Sequence, residues 1–256
     1  MTKPSLSEVK AILDKKVEKY NHPDFILNDP ISIPHRFTKL QDIEIAGFWT
    51  AMLSWGQRKT IINKATALME LMDHAPHQFI MEHEDVDLRR FEGWKHRTFQ
   101  YDDTLYFISF FKDWYHHHDS LQSAFHIEGG NTQDRLESFH LRFFDLPDHL
   151  QRTKKHVSTP ARKSSCKRLN MFLRWMVRKD SRGVDFGLWD TISPSELMIP
   201  LDVHVYNVSR GLGLLKREKT DWQAVEELTE ALRSFDPSDP VKYDFALFSM
   251  GVLEQP

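Results

Sequence analysis

A helical period that recurs along the whole sequence is the strongest constraint on the fold. The S-x-x-E segment Ser5–Glu8 is typical of a helix start, and apolar residues then follow at three- and four-residue steps through Leu13 and Val17. No alternating strand pattern or hairpin turn competes with this period. The sequence therefore predicts an all-α fold.

Further start signals and apolar stripes delimit the later helices and suggest how they are grouped. Helices are predicted from Asp42 to Trp55, from Thr60 to Met72, from Asp102 to Tyr115, after Ser164 or Ser165, after Asp202, after Asp221 and after Asp239-Pro240. We expect residues 1–256 to form a single globular unit of two helical lobes. The central lobe is expected over about 38–190, and the second lobe over about 1–37 plus 200–256.

The cysteine and histidine content restricts the cofactors that the chain can bind. The single cysteine, Cys166, excludes an internal disulfide and a cysteine-ligated iron–sulfur cluster. His116, His117 and His118 are consecutive, so they point to different faces of a helix, and we expect neither a metal site nor another cofactor.

No membrane-spanning stretch or secretory signal is apparent, so the sequence predicts a cytoplasmic protein without a membrane partner.

The segment from Gln151 to Arg168 carries seven cations and no acidic residue, although the net charge of the chain is −3. On charge alone, a solvated loop and a nucleic-acid contact are equally acceptable explanations. Its position before a predicted helix favours contact with phosphate groups. The candidate DNA-binding residues are Lys154, Lys155, Arg162, Lys163 and Arg168.

Lys167 is expected in the first turn of the helix that follows this segment. The positive end of the helix dipole and the neighbouring Lys163 and Arg168 all disfavour an ammonium group there. An amine of this kind can form a Schiff base with a sugar carbon. The alternative is a solvated or phosphate-contacting lysine.

Asp202, in the segment PLDVHV, is expected to cap another helix. A carboxylate at this position can stabilise a developing sugar cation or orient a nucleophile, although for this residue by itself a plain helix cap is the better explanation. His204, two residues later, is a candidate substrate-binding residue, with an ordinary surface or core histidine as the alternative.

Three strings, SSCKRLNMFLRWMVR, IPLDVHVYNVSRGLGL and DPSDPVKYDFALFSMG, resemble an uncharacterised bacterial family related to the helix-hairpin-helix DNA glycosylase superfamily. AMLSWGQRKTIINKA and GWKHRTF are similar to early segments of its 8-oxoguanine branches. The resemblance implies a two-lobed glycosylase-like fold, with Lys167 as the Schiff-base lysine and Asp202 as the catalytic aspartate.

The resemblance also covers the base pocket and the hairpin. YDFALFS is similar to the segment that lines the base pocket, which implies that Asp244 contacts a base edge and Phe248 stacks on the base; ordinary core packing is the alternative for Phe248. Lys163 and Ser165 occupy positions where the superfamily's hairpin usually has glycine.

The resemblance implies a DNA base-excision repair glycosylase with AP-lyase activity that removes an oxidised purine from damaged duplex DNA. A non-catalytic nucleic-acid-binding module that retains the fold is the main alternative. A third possibility is an interaction scaffold that uses the aromatic segment from Tyr101 to Tyr115. The sequence leaves open whether the chemistry is monofunctional or bifunctional, and it leaves the oligomeric state open, with a monomer favoured.

Overall fold

The computed structural model describes residues 4–147 and 149–254, and within these ranges every regular element is helical. The prediction of an all-α protein is therefore confirmed. Short 3₁₀ turns connect the α-helices, which are α1 (Leu6–Tyr20), α2 (Asp24–Leu27), α3 (Leu40–Leu53), α4 (Arg58–Leu71), α5 (Pro76–Glu82), α6 (Tyr101–His117), α7 (Thr132–Phe143), α8 (Lys167–Val177), α9 (Val203–Gly211), α10 (Trp222–Arg233) and α11 (Asp244–Val252).

Several helix starts follow the predicted caps. The Ser5 hydroxyl accepts a hydrogen bond from the Glu8 amide, and the Glu8 carboxylate accepts one from the Ser5 amide. Asp202 and Asp221 cap α9 and α10 as predicted. The start of α8 differs, because its N-cap is Cys166 rather than a serine.

Contacts between Cα atoms divide the chain into two units. The first contains the described residues of Met1–Phe25, Asn131–Gln133 and Thr159–Pro256, and the second contains the described residues of Ile26–Gly130 and Asp134–Ser158. Residues 131–133 and 159–190, which we had expected in the central lobe, fall in the first unit, and residues 26–37, which we had expected in the second lobe, fall in the second unit. Arg174 on α8 forms a buried ion pair with Asp244 on α11, which explains why α8 groups with the first unit.

In the first unit, α11 packs against α9 and α1. The approach to α9 is close at Gly251, where a Cβ atom would lie 2.8 Å from Cβ of His204. From Leu169 to Val177 every residue of α8 is buried. These helices therefore form a core in which any charged side chain on α8 needs an internal partner.

The second unit has an aromatic core built from α3, α6 and α7. The Phe48 ring contacts those of Phe107, Phe111, Phe139 and Phe143, with centroids between 5.5 and 5.9 Å away. Most aromatic residues of the segment from Tyr101 to Tyr115 are buried here and do not form an exposed patch. The scaffold hypothesis, which depends on this segment as an interaction surface, therefore loses its structural basis.

Within the described ranges, no helix combines the length and the apolar character required to cross a bilayer.

Candidate active site

Two distant stretches of the first unit meet beside the predicted catalytic residues. The hydroxyl of Ser165, two residues before Lys167, donates to the carbonyl of Leu201, one residue before Asp202, over 3.5 Å. This contact joins the turn before α8 to the start of α9. The fold thus brings together the segments that bear the two candidate catalytic side chains.

The turn that leads into α8 has an unusual backbone. Lys163 and Cys166 have φ angles of 60° and 48°, in the left-handed region that glycine adopts most readily. Asn170 steadies the turn by donating to the Ser165 carbonyl over 3.2 Å. This geometry makes Lys167 the first residue of α8, as predicted, with its side chain half-buried.

Asp202 uses one carboxylate oxygen to cap α9. Its Oδ1 accepts hydrogen bonds from the amides of His204 at 2.8 Å and Val205 at 2.9 Å. No hydrogen bond to Oδ2 occurs among the described residues, and the side chain is half-buried. One oxygen therefore serves the helix, and the other is available for a ligand.

Asp244 at the start of α11 connects these groups electrostatically. The pKa of its carboxyl is raised to about 7, mainly because of burial and partly because of the Asp202 and Asp185 carboxylates, while Arg174 and Lys167 act to lower it. The charges of Lys167 and Asp202 therefore both act on Asp244. Asp244 therefore lies within electrostatic range of both candidate catalytic residues.

Arg174 is a site residue that sequence reasoning missed. It is 3% exposed, and its Nη1 donates to Oδ2 of Asp244 while its Nε donates to Oδ1 of Asp185 at 3.2 Å. Arg178, one helical turn later, binds the other oxygen of Asp185 at 3.0 Å. Two arginines four residues apart among the apolar residues at the C-terminal end of α8 were the available signal, since buried guanidinium groups require carboxylate partners.

His204 and Phe248 also lie in the first unit, and both are half-buried. Nδ1 of His204 donates to the carbonyl of Gly251 over 3.1 Å, so this histidine helps to join α9 to α11. The Phe248 ring meets those of His204 and Phe25 edge-on, each with a centroid separation of 6.4 Å. These two contacts cover part of the Phe248 ring, and another part of the side chain is exposed to solvent.

The five candidate DNA-binding residues divide between the two units. Arg162 and Lys163 are exposed in the first unit, and Arg168 there is half-buried, with burial lowering the pKa of its guanidinium to about 10. Lys154 and Lys155 are in the second unit, where the Lys154 ammonium lies 5.9 Å from the centre of the Phe144 ring.

Part of the basic segment has a structural role. Arg152 binds the carboxylates of Asp102 at 3.1 Å and Asp103 at 2.7 Å, and the Thr153 hydroxyl donates to Asp103 at 2.6 Å. The buried His156 lies 3.4 Å from the same carboxylate of Asp103. These contacts tie one end of the basic segment to the start of α6.

In the described part of the chain, no group of three or more His, Cys, Asp or Glu side chains is arranged to hold a metal ion.

The fold and site define an all-helical protein in which a lysine and an aspartate act on a second, buried aspartate that is paired with a buried arginine. A family model described as "Protein of unknown function (DUF2400)" matches residues 29–253. Because this match covers most of the sequence, the chain belongs to that family. Comparisons with curated proteins and with solved structures gave no match.

Proposed function

We propose that this protein is a DNA base-excision glycosylase with AP-lyase activity that removes an oxidised purine, and that its fold is of the two-lobed helix-hairpin-helix type. The observation that carries the proposal is the contact between Ser165 and Leu201, which joins the segments that bear Lys167 and Asp202, with the buried Asp244 within electrostatic range of both side chains. An amine, a carboxylate with an available oxygen, and a buried hydrogen-bonding group for a base edge are the components that the reaction needs.

In the proposed reaction, Nζ of Lys167 forms a bond to C1′ of the extruded nucleotide as the bond from C1′ to the purine breaks. The purine leaves with the bonding electron pair and takes up a proton, and Lys167 loses a proton. Opening of the sugar ring breaks the bond from C1′ to O4′, passes the remaining N–H proton to O4′ and gives an imine; β-elimination then removes a C2′ proton and breaks the bond from C3′ to the 3′ phosphate oxygen.

Asp202 stabilises the positive charge that develops on the sugar through its free oxygen Oδ2, while Oδ1 keeps α9 capped. Asp244 accepts a hydrogen bond from an N–H on the purine edge, and Phe248 offers a ring for stacking. The exposed Arg162 and Lys163 supply cations for phosphate contacts in the turn before Lys167.

Borohydride trapping on a panel of oligonucleotide duplexes tests this proposal. The duplexes carry 8-oxoguanine, other damaged bases or an abasic site, and the proteins are the wild type, Lys167→Gln and Lys167→Arg. A covalent adduct that forms with the wild type and is lost in both variants supports the imine mechanism. If no duplex yields an adduct, lyase chemistry is refuted, and an assay of base release then distinguishes a monofunctional glycosylase from a binding module.

The non-catalytic binding module is the second candidate, and the exposed cations of the turn before α8 favour it. In that case Lys167 contributes only charge, so Lys167→Arg should bind DNA as the wild type does. Under the glycosylase proposal, the same variant binds DNA but forms no adduct.

A further inference from the structure

Arg174 is fixed on three sides inside the first unit. Its Nη1 donates to Oδ2 of Asp244, its Nε donates to Oδ1 of Asp185, and its guanidinium carbon lies 4.5 Å from the centre of the Phe245 ring. Asp185 and Asp244 are both buried. The orientation of this guanidinium is therefore determined by contacts rather than by solvent.

A second arginine holds the far end of the network. Arg178 donates to Oδ2 of Asp185 at 3.0 Å and to both oxygens of Asp239 at 2.9 and 3.1 Å. It also pairs with Asp180 at 2.8 Å. Because Asp185 is held from this side, it anchors Arg174 in one position.

Only one oxygen of Asp244 is used by this network. Oδ2 accepts from Arg174, and no hydrogen bond to Oδ1 occurs among the described residues. We propose that Arg174 is a positioning residue that fixes the Asp244 carboxyl by its Oδ2 oxygen and so presents Oδ1 as a hydrogen-bond acceptor for an N–H donor on the substrate base. This inference rests on the proposed glycosylase function.

Four charged side chains act on the Asp244 carboxyl and help to determine its protonation at neutral pH. Lys167 and Arg174 face it from α8, Asp202 from the start of α9, and Asp185 from the loop after α8. The other elements that pack on α11 direct their charges elsewhere: Asp14 of α1 binds Tyr243, and Lys242 in the 3₁₀ turn before α11 binds Asp236.

Without Arg174, Asp244 would face two carboxylates and a single lysine. Its carboxyl would then hold a proton through more of the neutral pH range than in the wild type, and a protonated carboxyl is a weaker acceptor for an N–H of the base than a carboxylate. A variant without this guanidinium should therefore fail to recognise the base at neutral pH and recover as the pH rises.

Base release and abasic-site cleavage require different contacts, and comparing the two reactions tests the role of Arg174. Release of the damaged purine requires base recognition, whereas cleavage at a preformed abasic site requires Lys167 but no base contact. We would measure the pH profile of both reactions for the wild type, Arg174→Met, Arg174→Lys and the control Arg182→Met, which removes an exposed pair with Glu18.

For Arg174→Met we expect the acid limb of base release to move upward by about one pH unit or more, which is roughly a tenfold loss near pH 7. Abasic-site cleavage should change less than about twofold, because the lysine is untouched. Arg174→Lys should recover part of the loss, and Arg182→Met should match the wild type. Equal losses in both reactions, or an acid limb that stays in place, would overturn the inference.

A titration that needs no substrate separates this inference from the function on which it rests. Carboxyl ¹³C NMR, with the Asp244 signal assigned from Asp244→Asn, should show a higher titration midpoint in Arg174→Met than in the wild type, and an intermediate one in Arg174→Lys. An unchanged midpoint overturns the inference whether or not any duplex is a substrate. If Arg174→Met does not fold, Arg174→Lys alone decides, since lysine lacks the planar fork with which arginine binds Asp185 through Nε and Asp244 through Nη1.

Discussion

Nη1 of Arg174 donates to Oδ2 of Asp244, and this buried ion pair joins α8, which begins at Lys167, directly to α11. Both partners have less than a tenth of their side-chain surface exposed. The pair therefore links the helix that carries the proposed nucleophile to the helix that carries the proposed base contact.

Arg174→Met should destabilise the protein by about 3–5 kcal/mol, because it leaves the buried carboxylates of Asp185 and Asp244 without their shared cation. Urea denaturation followed by circular dichroism measures the loss. Arg233→Met is the matched control, since Arg233 pairs with Glu230, whose side chain is 75% exposed. A loss for Arg174→Met no larger than that of the control would refute a structural role for the pair.

Asp244 should also make stability depend on pH. Burial raises the pKa of its carboxyl from 3.8 to about 7 in the folded protein. The folded state thus holds this proton more tightly than the unfolded state does. The contribution is fully present below pH 4 and is lost as the pH rises to 7, a change of up to about 4 kcal/mol.

Denaturation midpoints between pH 5 and pH 8 should consequently decline less in Asp244→Asn than in the wild type. Asp236→Asn is the control with the opposite sign, because hydrogen bonds from Lys242 and Ser238 lower the pKa of the Asp236 carboxyl despite its partial burial. The loss caused by that variant should be present above pH 4 and diminish on acidification. If the denaturation midpoints of Asp244→Asn and of the wild type change equally with pH, the raised pKa of the Asp244 carboxyl is contradicted.

Asp202 has two roles that two substitutions separate. Asparagine caps helices as well as aspartate does, so Asp202→Asn should preserve stability, whereas Asp202→Ala should cost about 1 kcal/mol. If the free oxygen stabilises the sugar cation, Asp202→Asn should still reduce base release by about 100-fold or more. Asp221→Asn, at the cap of α10, serves as the control. Full activity of Asp202→Asn would reduce Asp202 to a helix cap.

The exposed cations before α8 should set part of the salt dependence of DNA binding. Replacing Arg162 and Lys163 with glutamine should reduce the slope of log K against log salt by about 2, because each phosphate contact contributes about 0.9. Fluorescence anisotropy at several salt concentrations measures the slope. The control replaces Lys15 and Lys19, which are exposed on α1. If the slope changes equally in both double variants, the turn before α8 has no special role in DNA binding.

Much of the helical framework could be predicted because its signals are local. The caps at Ser5, Asp202 and Asp221 are short-range hydrogen bonds between a side chain and a nearby amide, so the sequence around each one contains the information. Lys167 could be placed in the first turn of its helix for the same reason, although the cap itself lies at Cys166.

The remaining features depend on the tertiary fold. The left-handed conformations of Lys163 and Cys166 occur without glycine, so no residue type announces them. The pairing of Arg174 with Asp185 and Asp244 joins segments far apart in the chain, and the sequence shows only that arginines lie on a buried helix face. The same pairing explains why residues 159–190 group with the first unit rather than with the central lobe that we expected.

The most direct test of the central claim is peptide mapping of the borohydride-trapped adduct by mass spectrometry. The account predicts that the reduced sugar fragment is attached to Nζ of Lys167, on a peptide that covers the start of α8. Attachment to another lysine or to the N-terminal amine would contradict the assignment of Lys167 as the nucleophile.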